Sequence, residues 1–111
     1  MATATLSITT GIADDSAIPG TYVLHQNHPN TFNPTTTIRY GLPEDTHVTL
    51  TIYDLVGRKV AVLTNSHQQV GWQKVKWNGR NTAGYLVGNG VYLYHLRAGK
   101  YQETKSIVIL K

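Results

Sequence analysis

From residue 35 onward, apolar and polar residues alternate in short runs separated by turn-forming clusters. In Thr35–Leu42, Ile38, Tyr40 and Leu42 fall on one side and Thr37, Arg39 and Gly41 on the other. Alternation at period two marks a strand with two different faces. His47–Asp54 shows it most cleanly, with Val48, Leu50 and Ile52 inward and His47, Thr49, Thr51 and Tyr53 outward. In Trp72–Trp77, Gln73, Val75 and Trp77 share one side, and Trp72, Lys74 and Lys76 the other. The terminal stretch sets Tyr92, Tyr94 and Leu96 against Leu93, His95 and Arg97, turns at Ala98-Gly99-Lys100, and returns over Thr104–Leu110.

The segments between these runs are breakers. Tyr22–His25 is a short strand stopped by Gln26–Asn30, and Pro29 and Pro34 exclude a helix there. Asn30 and Asn33 suit Asx-turns, giving a loop that Phe32 pins. Pro43-Glu44-Asp45-Thr46 fits a type I turn. Asp54-Leu55-Val56-Gly57-Arg58 reads as a hairpin turn in which Gly57 takes a positive φ, with Lys59–Thr64 as the return strand. Asn65–Val70 reads as a polar loop, and Asn78–Gly84 as a long glycine-bearing turn. About seven strands at roughly ten-residue spacing predict an all-β fold, an antiparallel two-sheet immunoglobulin/fibronectin-III-like sandwich. A closed barrel is the lesser alternative. Residues 1–20, with Asp14-Asp15-Ser16 and Ile18-Pro19-Gly20, read as a linker to something upstream, and 21–111 as one domain.

Composition narrows the chemistry. The 111 residues contain no cysteine, which removes disulfides, thiolate metal sites and cysteine nucleophiles. The net charge of +4 comes from single, scattered bases that form no run, which argues against nucleic-acid binding. No stretch has the ~20 apolar residues that span a bilayer, and the N-terminal stretch lacks the features of a signal peptide.

Candidate sites are few. His25, His28, His47, His67 and His95 do not form a spaced ligand set. Asp14, Asp15, Glu44 and Asp45 are the candidates for calcium, and no other cofactor is indicated. Glu44 and Asp45 sit side by side on a turn, better suited to solvent than to shared acid–base work. No nucleophile elbow or phosphate loop appears, so the chain is not expected to be an enzyme. Trp77 is expected in the core, whereas Trp72, Tyr85 and Tyr101 could form an aromatic platform for sugar.

Several segments carry a resemblance to a known family. Asn27–Tyr40, containing Pro29, Asn30, Phe32, Asn33 and Pro34, resembles an Asn-Tyr-Pro-Asn-Pro-Phe-Asn-Pro-Thr-Thr signature. Val48–Lys59, ending in Asp54, Gly57 and Arg58, resembles the hairpin that follows it. Val75–Asn81, with Trp77 and Gly79, resembles a Val-x-Trp-Asp-Gly-Arg-Asn turn, and Gly90–Leu96 with Lys105–Lys111 resembles the closing block. The family is the type A C-terminal sorting domain of the type IX secretion system, immunoglobulin-like and related to the module in flagellar hook-capping proteins. His28, Thr31 and Asn78 depart from tyrosine, proline and aspartate in the motifs.

The resemblance implies a non-catalytic export signal carrying an upstream cargo from the periplasm across the outer membrane of Bacteroidota-like bacteria. Its implied partners are an outer-membrane shuttle barrel and a sortase, and the cargo ends at the cell surface or outside the cell. The implied signal lies in the last hairpin, mapping to Gly90, Tyr92, Lys105, Ile107, Ile109 and Lys111. Two other readings stay open on the residues alone. One is a self-associating or adhesive structural module, since Val108 and Leu110 oppose Ile107 and Ile109. The other is a carbohydrate-binding accessory module.

Overall fold

The computed structural model describes residues 18–29 and 35–110. Asn30, Phe32, Asn33, Pro34 and Lys111 lie outside the described residues, as do Asp14 and Asp15. Seven strands follow in order: β1 (Val23–Leu24), β2 (Thr36–Leu42), β3 (Thr46–Tyr53), β4 (Lys59–Gln68), β5 (Gly71–Trp77), β6 (Gly90–Ala98) and β7 (Tyr101–Ile109). They form a three-stranded sheet, β1-β2-β5, and a four-stranded sheet, β4-β3-β6-β7. Every pairing is antiparallel. Two separate sheets make this a sandwich of immunoglobulin type and not a barrel.

The alternation in the sequence decides which side chains meet between the sheets. Ile38, Tyr40 and Leu42 of β2 face Val48, Leu50 and Ile52 of β3 across a shared core. Tyr94, Leu96, Ala98, Ile107 and Ile109 extend that core along the terminal hairpin, and Trp77 closes it at one end. All are buried, Trp77 to 2% exposure. Trp77 Nε1 donates to the Arg80 carbonyl at 2.9 Å, which satisfies the one polar atom of the ring.

Two strand ends move by three or more residues from those expected, and one outward residue is buried. β4 runs on to Gln68, so Asn65–Gln68 are strand where a polar loop is expected. Their polar side chains conceal a backbone that pairs with Thr46–Thr49 at the sheet edge. β7 begins at Tyr101, three residues before the expected start, because Ala98 and Tyr101 already pair across the turn. Thr51, expected outward, is 3% exposed, because it stands between its register partners Val62 and His95 on the outer face.

Removing the Trp77 side chain leaves a cavity at the closed end of the core. Trp77→Ala is expected to cost about 3–5 kcal/mol, a large part of a small domain's stability. Urea unfolding monitored by circular dichroism measures it, and an unchanged midpoint would contradict the core role.

Candidate functional site

The pairing registers bring most of the motif residues to one end of the sandwich. Tyr53 pairs with both Lys59 and Leu93, and Gly90 pairs with Ile109. The turn 54–58, the loop 78–89, the start of β6 and the finish of β7 therefore share that end. Asp54 builds its turn, accepting the Val56 and Arg58 N–H groups at 3.0 and 2.9 Å and Arg58 Nε at 2.8 Å. The Arg58 main-chain bond first, and its guanidinium after it, hold the Asp54 carboxyl below the usual carboxylate range. Gly57 has φ 97°, a conformation side-chain-bearing residues rarely adopt.

The loop after β5 is fastened by its own backbone. Val87 N–H donates to the Gly79 carbonyl at 2.8 Å, and Thr82 N–H to the Val60 carbonyl at 3.0 Å. Tyr92 lies edge-on to Trp77, ring centroids 6.1 Å apart, and donates its hydroxyl to the Gly88 carbonyl at 2.9 Å. Pro29 joins the same end, its carbonyl accepting Asn27 Nδ2 at 2.9 Å and Thr36 Oγ1 at 3.0 Å. Asn27, 1% exposed, and Thr36, fully buried, thus fix the segment that precedes Trp77's partner strand. Reading Asn27 only as a strand stop misses this, since nothing in its neighbours signals burial.

The terminal strand is an edge. β7 has a hydrogen-bonded neighbour on one side only. Ile107 and Ile109 point into the core at 1% and 0% exposure, whereas Val108 and Leu110 are 37% and 55% exposed. Lys105 lies on the inward side, its ammonium 3.3 Å from Glu103, and Glu103 also accepts the Tyr101 hydroxyl. The Tyr101 bond, then Lys105, lowers the Glu103 carboxyl below its usual range. Gln26 Nε2 donates to the Ser106 carbonyl at 2.7 Å, so that carbonyl faces away from β6. By the alternation of a strand, the main chain of Gln102, Thr104 and Val108 shares this free edge.

The other candidates disperse. Tyr101 stacks on Tyr22 at 5.3 Å, Trp72 lies beside His25 and under Arg39, and Tyr85 is exposed on the loop 78–89. The three aromatic rings therefore build no common platform. Among the described residues, no three histidines or carboxylates converge as metal ligands. The Glu44 carboxylate accepts the Tyr22 hydroxyl at 2.6 Å, and Asp45 accepts the Val70 N–H at 2.8 Å.

A two-sheet immunoglobulin-like module with no helix among its described residues, ending in an edge hairpin, is the class these features define. The sequence model of the FlgD Ig-like domain matches residues 28–102, most of the chain. The chain belongs to that family. Among curated proteins none matches it. Among solved structures, dimeric latent PorU from Porphyromonas gingivalis is similar, at 26% identity and a TM-score of 0.64 over 93% of this chain. PorZ from the same organism, described as an essential bacterial surface component of the type-IX secretion system, shares the fold at 20% identity, TM-score 0.54, over 89% of this chain. The chain spans 10% of the PorU chain and 13% of the PorZ chain.

Burial raises the Tyr94 hydroxyl to about 12, and its donated bond to the His25 carbonyl at 2.8 Å ties the hairpin to β1. Burial, then the Glu103 bond, raises Tyr101 likewise to about 12. Below the unfolded tyrosine value of about 10 both states are protonated and stability is full. Above it the unfolded chain loses protons that the fold retains, so stability falls until the folded groups also ionise. Unfolding free energy is expected to decline from about pH 10 to about 12, and Tyr94→Phe to flatten that decline. Urea titrations across this window measure both slopes.

Proposed function

We propose that this domain is a non-catalytic C-terminal sorting signal, which directs an upstream cargo across the outer membrane through the type IX secretion system. One observation carries the reading: the terminal strand is an open edge at the end of the sandwich where the motif turns gather. A receptor can engage such an edge through main-chain hydrogen bonds, with alternate side chains giving specificity. The likeness to PorU, and to PorZ as a surface component of type IX secretion, supports the same direction.

The signal residues then divide by depth. Ile107 and Ile109 are buried, so they hold β7 in place rather than meet a receptor. Gly90, at φ 149°, and Tyr92 set the start of β6 against the loop. Thr104, Ser106 and Val108, exposed on the outer face, are what a receptor reads, with Lys105 setting the edge and Lys111 following it. Residues 1–20 join the domain to its cargo, and an outer-membrane shuttle barrel and a sortase are the partners. The cargo's destination is the cell surface or the medium.

Fusing residues 1–111 to a periplasmic reporter, in a bacterium with type IX secretion, is expected to deliver the reporter outside the cell. Val108→Glu is expected to lower export at least several-fold while thermal melting stays unchanged. Ile107→Ala is expected to lower export together with stability, by about 2–5 kcal/mol. A reporter retained in the periplasm with the domain folded sinks the reading.

A further inference from the structure

The chain contains two Asn-Gly sequences, Asn78-Gly79 just after β5 and Asn89-Gly90 at the start of β6. An asparagine before a glycine is poised for reaction with its own backbone. The glycine nitrogen attacks the side-chain Cγ, and ring closure is easy because glycine carries no Cβ to obstruct it. The fold treats the two sequences differently. Gly90 lies in β6 and pairs with Ile109, so bringing its nitrogen to Asn89 Cγ pulls a residue out of the terminal hairpin. Gly79 lies between β5 and β6, in no strand. The bond that fixes it runs from Val87 N–H to its carbonyl at 2.8 Å, in the peptide beyond the attacking nitrogen. Asn78 is exposed, so water reaches Cγ. Its Oδ1 accepts the Arg80 N–H at 3.2 Å. Attack at Cγ places negative charge on that oxygen, where a donor already points.

We propose that Asn78-Gly79 is a self-modification site, at which the folded protein deamidates through a cyclic imide. The Gly79 nitrogen gives up its proton and bonds to Asn78 Cγ. The Cγ–Nδ2 bond breaks, and Nδ2 leaves with that proton as ammonia. Water then adds to one of the two imide carbonyls. Addition at Cγ breaks the new bond and restores the ordinary chain, with aspartate at position 78. Addition at the Asn78 main-chain carbon breaks the original peptide bond and leaves isoaspartate, the chain now running through the side chain. No oxidant or reductant enters. The two products differ in consequence. Aspartate keeps an acceptor for the Arg80 N–H, now charged. Isoaspartate adds a methylene to the chain between Trp77 and Arg80, whose carbonyl takes the Trp77 Nε1 hydrogen bond at 2.9 Å. An indole N–H that loses its acceptor inside the fold destabilises it, and Trp77 closes one end of the core.

Mass spectrometry of the full chain tests this, after incubation at neutral and at mildly alkaline pH. Trypsin cleaves after Lys76, Arg80 and Arg97, placing the two sequences in separate peptides, Trp77–Arg80 and Asn81–Arg97. Conversion of amide to acid at Asn78 is expected to run at least several-fold faster than at Asn89, located by fragment ions. It is expected to quicken as pH rises, because the Gly79 nitrogen attacks without its proton. In urea, where β6 no longer holds Gly90, the two rates are expected to converge. Asn78→Gln, whose imide ring closes far less readily, is expected to abolish the change at position 78 and keep the parent's melting curve. Isoaspartyl chains, separated by ion exchange and identified with an isoaspartyl methyltransferase, are expected to melt below the parent, and Asn78→Asp to melt with it. Equal or faster conversion at Asn89 in the folded chain overturns the site. Aspartate as the sole product overturns the imide route. An isoaspartyl chain that melts like the parent overturns the coupling to Trp77.

Discussion

An open two-sheet sandwich leaves four strand edges, and the way each is closed governs what the domain can do. Unpaired strand edges invite pairing with other chains, so stable β proteins blunt them. Here each edge carries a different device. β1 is two residues long. β5 carries Lys74 and Lys76 on its outer face. β4 is interrupted by register shifts opposite Leu50/Thr51 and Ile52/Tyr53, and its Val60 carbonyl is taken by Thr82. β7 turns Lys105 inward and has the Ser106 carbonyl capped by Gln26. Edge-to-edge growth into a filament would have to defeat one of these devices in every subunit, which weighs against the structural-module reading.

The β7 device differs from the others in kind. Lysines on β5 and bulges on β4 are built into the strands themselves. The cap on β7 is one amide side chain from a neighbouring segment, whose Nε2 donates one hydrogen bond to the Ser106 carbonyl and another to Asn27 Oδ1, each at 2.7 Å. A hydrogen bond of this type contributes about 0.5–1.5 kcal/mol net, so a strand able to satisfy the same carbonyl can displace it. The edge is closed against casual pairing and open to a partner that brings its own donors. That combination suits the proposed role as a folded signal, where pairing is to be deferred to one partner.

Much of the fold was legible because alternation is a direct record of burial. Ile38, Tyr40 and Leu42, Val48, Leu50 and Ile52, and Tyr94 and Leu96 all lie inward as their spacing requires. The pattern fails where a strand gains its backbone pairing without burying a face. Asn65–Gln68 pair with β3 at the edge, yet their side chains meet solvent or half-cover the rim, leaving no periodic trace. The candidate site was legible in its residues and not in its assembly. Pro29, Asp54, Gly57, Trp77, Gly79 and Gly90 are spread along the chain from position 29 to position 90, and only the registers reveal that they share one end. Asn27 and Gln26 escaped because a polar side chain in a proline-flanked loop gives no sign of a buried or capping role.

The separation of chemistry between the two sheets follows from the same pairing. Inward positions of both sheets are committed to one core, so the outer faces are free to differ. The four-stranded sheet presents Val91 directly opposite Val108, both partly exposed, beside the open edge. The three-stranded sheet presents Arg39 opposite Lys74. An apolar outer face next to main-chain donors and acceptors favours a partner that adds a strand, where burial and hydrogen bonding act together. Basic side chains on an outer face act on a partner through charge, a contribution that is screened by salt and acts mostly on encounter. Because these faces lie on opposite sheets, engagement of one leaves the other accessible. A receptor at the terminal hairpin, as proposed, would therefore leave the outer face of the three-stranded sheet uncovered.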